Sequence, residues 1–269
     1  MKKTILITGA TDGIGLATAK MLASNGHSLL VHGRNPEKLN KVVKMLTELP
    51  NAGTVKSYLA DLSQMSDVKT LANKIKAQYD NLDVLINNAG VFKVDNPITR
   101  DGLDLRFTVN TIAPYLLLQE LLPLLATSAR VINLSSAAQA PVNMQALLGK
   151  VPLSDMEAYA QSKLAITMWS RIMAQTLKDK GPVIITVNPG SMLGSKMVQE
   201  GFGVAGGDLK IGAKILTRLA LDKEFAGSSG QYFDNDAGRF CSPHPDGLNL
   251  QKSAELVTTI ESILSGIKH

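Results

Sequence analysis

Thr4-Ile5-Leu6-Ile7-Thr8-Gly9-Ala10-Thr11-Asp12-Gly13-Ile14-Gly15 is the stretch that decides the fold. A short apolar run is followed at once by three glycines within seven residues, and a helical pattern opens directly after them. At the end of a first strand, such a loop lets backbone N–H groups and a helix N-terminus approach a pyrophosphate with no Cβ in the way. An ordinary strand-to-helix turn does not account for three glycines so close together. Met1-Lys2-Lys3 before the run has the look of a secretory leader, but the apolar stretch breaks at Gly9 and Asp12, so it reads as a strand.

From there to the other end, short apolar runs alternate with amphipathic helical patterns, the signature of βαβ units around a parallel sheet. Strands are predicted near Thr4 to Thr8, Ser28 to His32, Val55 to Leu59, Val84 to Asn87, Arg130 to Leu134, Ile184 to Asn188 and Gln231 to Phe233. The fold class is therefore α/β, a doubly wound parallel sheet of about seven strands with helices on both faces, in one domain over residues 1–269. The first helix is expected to start at Gly13 and end at Asn25-Gly26, where Gly supplies a left-handed cap; the second starts at Asn35-Pro36. Two segments break the rhythm: Gln139 to Asp155, and a Gly- and Met-rich stretch from Gly190 to Asp208. Both leave from strand carboxyl ends, where ligands of open α/β sheets bind, so they are read as substrate walls, with residues 191–209 as a substrate loop. Residues 234–269 form a C-terminal extension that is turn-rich at first and then helical from Leu250 to Leu264.

Composition narrows the function classes. Aromatic residues make up 4% of the chain against 45% hydrophobic, which suits a core of Leu, Ile, Val and Ala. The net charge of +5 comes from Lys and Arg scattered along the chain, without the basic block of a nucleic-acid binder. The single cysteine, Cys241, forms no internal disulfide and no Cys-cluster metal site, and the natural compartment is a reducing cytoplasm. Ile112 to Leu125 is interrupted by Gln119 and Glu120 and is too short to span a membrane; it reads as a buried helix. His27, His32, His244 and His269 show neither metal-ligand spacing nor a nucleophile motif and read as surface or turn residues, with no metal expected. Met192, Met197 and Phe202 either line an apolar pocket or pack a lid.

The second strand ends Val31-His32-Gly33-Arg34-Asn35, where an acidic residue would bind the ribose 2′-hydroxyl of NAD. None is present, and the Arg34 guanidinium fork suits a 2′-phosphate instead. NADP is thus the expected cofactor, with NAD as the alternative.

Further along, Asp61-Leu62, Asn87-Asn88-Ala89-Gly90, Asn110, Leu134-Ser135-Ser136, Tyr159-Ala160-Gln161-Ser162-Lys163 and Asn188-Pro189-Gly190 stand in this order. With the glycine loop they resemble the short-chain dehydrogenase/reductase family from Lys3 to about Phe233. The His32-Gly33-Arg34-Asn35 run and the long Ser136-to-Tyr159 spacing look most like its retinol-dehydrogenase-like branch. No membrane anchor precedes the first strand, unlike many animal members. The resemblance implies a single-domain Rossmann fold and a hydride transfer between NADP(H) and a carbonyl or alcohol carbon. The implied catalytic residues are Asn110, Ser136 (with Ser135 as the fallback), Tyr159 and Lys163. The implied cofactor contacts are Gly9, Thr11, Asp12, Gly13, Ile14, Gly15, Arg34, Asn35, Asp61, Leu62, Asn88, Ala89, Gly90, Tyr159, Lys163, Pro189 and Gly190. Asp12 is acidic where many NADP-preferring relatives are neutral or basic, and it is expected to turn onto its own helix N-terminus. Gly194 stands where the family has threonine, leaving Ser195 or backbone amides to meet the nicotinamide carboxamide.

Hydride transfer to a carbonyl needs an acid beside the oxygen, and a free tyrosine, with a pKa of about 10, is a reluctant one. Lys163 follows Tyr159 by one helical turn on the same face and is expected to favour the phenolate. By resemblance, Ser136 bonds the substrate oxygen and Asn110 orders a water beside Lys163. The expected partner is a small to medium, apolar carbonyl or alcohol. Homo-oligomers are left open, since similar proteins occur as monomers, dimers and tetramers. The competing readings are a non-catalytic NADP(H)-sensing protein on the same fold and, within enzymes, epimerisation or dehydration of a nucleotide sugar.

Overall fold

The computed structural model describes residues 2–267, so Met1, Lys268 and His269 lie outside the described residues. In chain order the elements are β1 (Thr4–Ile7), α1 (Gly13–Ser24), β2 (Ser28–Gly33), α2 (Pro36–Thr47), β3 (Val55–Leu59), α3 (Met65–Lys76) and β4 (Val84–Asn87). α4 (Leu105–Phe107), a π-helical turn (Thr108–Ile112) and α5 (Ala113–Leu121) then run on from one another, followed by β5 (Arg130–Leu134) and α6 (Met144–Leu147). α7 (Asp155–Leu177), β6 (Val183–Asn188), α8 (Lys196–Phe202), α9 (Leu209–Leu221), β7 (Tyr232–Asp234), β8 (Arg239–Cys241) and α10 (Leu250–Gly266) complete the chain.

The strands form one sheet in the order β3-β2-β1-β4-β5-β6-β7-β8. All neighbours are parallel except β8, which turns back antiparallel on β7. β8 is the strand the sequence reading missed, because three residues between turn formers carry too little alternation to register. α6 and α8 lie inside the two segments read as irregular and were hidden for the same reason. Apolar side chains alternate across the sheet. Leu6, Leu30, Leu85, Val131 and Ile184 face the core under α3, α5, α7 and α10. Ile5, Ile7, Val31, Ile86, Ile132 and Val187 face the core under α1, α2 and α9. Both faces are covered, which is why these strands read as continuous apolar runs.

The helix ends follow local chemistry. Asp12 caps α1, its carboxylate accepting from the Gly13 N–H at 2.7 Å, and Asn35 caps α2 with Pro36 in the first turn. Gly26, after α1, has φ +82°. Among the described residues no helix is long and apolar enough to cross a membrane. The strand order reverses between β1 and β4, so the glycine loop and Asn87-Asn88-Ala89-Gly90 meet at the switch point where such sheets bind ligands.

Candidate active site and dinucleotide cleft

Gly9 sits at φ +64°, and a Cβ there would stand 2.8 Å from Ala89 Cα. At Gly15 a Cβ would collide with Asn88 Nδ2 at 2.3 Å and with the Gly9 carbonyl at 2.4 Å. The loop is therefore pressed onto the β4 end, and only glycine permits it. Asn88 completes the junction: its amide donates to the carbonyls of Thr8 (2.9 Å) and Gly9 (3.0 Å), while the Thr8 hydroxyl accepts from the Asn88 and Ala89 N–H groups. Ile14 packs on α9, where a Cβ at Gly212 would sit 3.2 Å from its methyl. Thr11 lies against Gly33, at the end of β2.

The residues expected around the adenosine half divide. Arg34 is exposed just past β2, with no ion-pair or hydrogen-bond partner among the described residues. Asn35 Oδ1 is taken by the Lys38 N–H as the α2 cap, which leaves its amide NH2 for a ligand. Leu62 is 6% exposed and packs in the core, so of the pair Asp61-Leu62 only the half-buried Asp61 keeps a side chain in reach of a ligand. These features fit a dinucleotide: a cradle of glycines at a helix N-terminus, with an exposed, unpaired guanidinium just past β2.

At the carboxyl ends of β5 and β6 the catalytic candidates converge. α7 starts with a capping box, Ser154 with Glu157, and its first-turn Asp155 pairs with the buried Arg106, which also holds Asp104 at 2.6 Å. This network ties the start of α7 to the path carrying Asn110. The Ser136 hydroxyl faces the Tyr159 phenol and favours its ionised form. Ser135 turns the other way, its hydroxyl donating to the Lys163 carbonyl at 2.8 Å within α7. Lys163 is 4% exposed; its Nζ donates to the Leu134 carbonyl at 2.8 Å and lies 5.6 Å from the centre of the Tyr159 ring.

Two expectations about these groups need correcting. Burial raises the Tyr159 pKa, with the Ser136 hydroxyl pulling it partly back, and burial lowers Lys163 to about 8. In the chain by itself, then, desolvation outweighs any lysine-driven depression of the phenol, and it weakens the Lys163 ammonium without neutralising it near pH 7. Asn110 stands in the π-helical turn, a distortion common at functional sites, and its side chain is a clamp. Its amide donates to the Val91 carbonyl (3.0 Å) and Ser162 Oγ (3.0 Å), while its Oδ1 accepts from the Val91 N–H (2.8 Å). A water-ordering role is left with the second lone pair of Oδ1. Oδ1 and Lys163 Nζ both lie within 3.5 Å of where a Gly90 Cβ would be.

The histidines also differ from expectation. His32 and His27 are 3% and 8% exposed, respectively, so they are buried rather than surface residues, because both rings accept backbone N–H groups inside the fold. His244 is a turn residue as read.

Over the site, Phe202 of α8 stacks on Phe92 at 5.5 Å, and Phe92 tilts against Tyr159 at 5.1 Å. Met197 Cε comes within 3.8 Å of the Gly90 Cβ position, whereas Met192 is 42% exposed with φ +53°. Gly194 has a local cause: a Cβ would meet the Ala205 carbonyl at 2.7 Å, where the loop folds back on itself through Leu193 and Gly207. Ser195 caps α8, and its Cβ lies 3.5 Å from the Gly13 Cβ position. Behind Pro189-Gly190, Asp236 accepts from the Ser191 N–H (2.9 Å), the Ser191 hydroxyl and the Asn188 amide, and Asn235 donates to the Pro189 carbonyl (2.9 Å). Phe92, Asn235 and Asp236 were not singled out from sequence. Phe92, as an aromatic two residues after Gly90, offered a weak signal, and the other two offered none.

The model for short chain dehydrogenases matches residues 3–202. Human retinol dehydrogenase 13 is 31% identical over 258 residues, 86% of this chain and 76% of that protein. Human polyprenol dehydrogenase is 36% identical over 198 residues, 70% of this chain and 60% of that protein. The crystal structure of angucycline C-6 ketoreductase LanV with bound NADP superposes with a TM-score of 0.69 at 25% identity, covering 87% of this chain and 93% of that one.

Proposed function

The chain belongs to the short-chain dehydrogenase/reductase family, in its retinol-dehydrogenase-like branch, as an NAD(P)-dependent oxidoreductase, and from this we propose that it uses NADP(H) to interconvert an apolar carbonyl and its alcohol, with Tyr159 as acid/base. The observation that carries the reading is the buried Lys163 ammonium 5.6 Å from the centre of the Tyr159 ring, one turn further along α7, with the Ser136 hydroxyl acting on the same phenol. When bound, the nicotinamide gives or takes the hydride. Gly9, Thr11, Gly13, Ile14 and Gly15 would hold the pyrophosphate, with Asp12 shaping the helix start. Arg34 and Asn35 would hold the 2′-phosphate, Asp61 the adenine side with Leu62 packed in the core behind it, and Asn88, Ala89, Gly90, Pro189 and Gly190 the nicotinamide side.

Ser136 and Tyr159 present two hydroxyls to one substrate oxygen. As that oxygen gains negative charge, the phenol passes its proton across, and the nearby Lys163 ammonium and Ser136 hydroxyl offset the upward pull of burial on the phenol. In the opposite direction the phenol must accept a proton as phenolate, and the Lys163 ammonium supplies the compensating charge. Lys163, lowered to about 8, remains largely charged near neutrality and can return a proton to the site. Phe92, Met197 and Phe202 supply an apolar wall, which accords with the apolar alcohols in the names of the retinol and polyprenol dehydrogenases. The single half-buried cysteine suits a reducing compartment such as the cytoplasm.

NADPH oxidation followed by absorbance with a panel of aldehydes, ketones and quinones tests the proposal. Turnover favouring apolar carbonyls supports it. Tight NADPH binding with no turnover of any of them would point to a non-catalytic sensor.

A further inference from the structure

We propose that His32 is a positioning residue for the dinucleotide, its neutral ring fixing the Gly9 amide so that the glycine loop meets the pyrophosphate already in shape. The ring is 3% exposed at the end of β2. Its Nδ1 accepts from the Gly9 N–H at 3.2 Å, and its Nε2 lies 3.1 Å from the Ala60 carbonyl. An accepting Nδ1 requires the proton on Nε2, and the Ala60 carbonyl is where that proton goes, so both contacts are satisfied by one neutral tautomer.

The same residue also holds the next amide, since its backbone carbonyl accepts from the Ala10 N–H at 2.9 Å. From the β4 side, Asn88 donates to the Gly9 carbonyl. Gly9 is thus held through the peptide groups on both sides of its Cα, with His32 on its N–H and Asn88 on its C=O. Glycine has the least conformational preference of its own, so the grip must come from neighbours. Ala60 leads straight into Asp61, and the ring therefore also couples the pyrophosphate loop to the end of β3. Burial lowers the ring pKa to about 4, against smaller opposing pulls from the Ala60 carbonyl and then Asp61, which keeps the acceptor form present across the neutral range. An aliphatic side chain would fill the same space and offer no acceptor.

This inference rests on reading the glycine loop as the dinucleotide site, and wild-type binding of NADP(H), followed by calorimetry or fluorescence, tests that reading separately. Given wild-type binding, His32→Leu should weaken NADP(H) about five- to tenfold, the effect of one lost hydrogen bond, and leave kcat at saturating cofactor within about threefold. His32→Asn, whose carbonyl can accept from Gly9, should recover most of the affinity. Wild-type affinity in His32→Leu, or no recovery in His32→Asn, would overturn the positioning role while leaving the site in place. If the variants do not fold, nitrogen-15 spectra of the wild-type ring decide: protonated Nε2 with bare Nδ1 supports the proposal, and the opposite tautomer overturns it.

Discussion

The phenolic hydroxyl of Tyr232 donates to the backbone carbonyl of Ser136 across 3.0 Å. Gln139 donates to the same carbonyl at 3.0 Å and accepts from the His244 N–H. The last strands and the tail after them therefore brace the serine that faces Tyr159. Tyr232→Phe keeps the ring and its packing but releases one of the two donors. We expect kcat/KM to fall about three- to tenfold with the Kd for NADP(H) unchanged, on the scale of one neutral hydrogen bond. Steady-state kinetics beside a cofactor titration checks this; an equal loss in cofactor affinity would place the brace elsewhere.

Arg34 bears on cofactor choice. A charge-assisted contact to a 2′-phosphate is worth about 1.5 to 3 kcal/mol, so NADP(H) should bind roughly ten- to a hundredfold better than NAD(H). Arg34→Leu should erase most of that difference and leave NADH kinetics nearly unchanged. Dissociation constants for both cofactors at fixed salt, before and after the substitution, provide the comparison.

Acid should destabilise the protein through His32. Its folded pKa of about 4 lies below the ordinary 6.5, so between these values the unfolded chain takes up a proton that the folded chain does not. Stability is full above 6.5 and falls as pH drops towards 4. The gap of about 2.5 pH units corresponds to about 3 kcal/mol. His27, also lowered by burial, acts in the same direction. The loss of Tm between pH 7.5 and 5 should be smaller in His32→Asn than in the wild type.

Residues 191–209 should exchange amide hydrogens faster without ligands and gain protection when cofactor and substrate analogue are both bound. The positive φ of Met192 and the exposed Phe202 mark this as a weakly anchored segment. Equal exchange in both states would argue for a static wall.

Much of this architecture is legible in the sequence because local chemistry dictates it. Val84-Leu85-Ile86 can only be a strand covered on both faces, and Gly9 to Gly15 can only be a tight turn into a helix. Tyr159 and Lys163 are readable as a pair because helical periodicity places them on one face. What escaped depends on contacts across the chain. His32 resembles any strand-end histidine until Gly9 and Ala60 are brought to its two nitrogens by the sheet. Asp236 and Tyr232 act on residues roughly 45 and 96 positions away, separations at which no spacing rule operates. The phenol's upward shift likewise comes from burial by Phe92 and its neighbours, which a residue list cannot convey.

Single-turnover reduction of an apolar aldehyde by Tyr159→Phe, with NADPH binding measured on the same sample, tests the central claim most directly. Loss of the positioned acid should slow the hydride-transfer step at least about a hundredfold while the Kd for NADPH stays within a few fold. A variant that binds NADPH normally and reduces the aldehyde at the wild-type rate would contradict the assignment of Tyr159 as the acid/base.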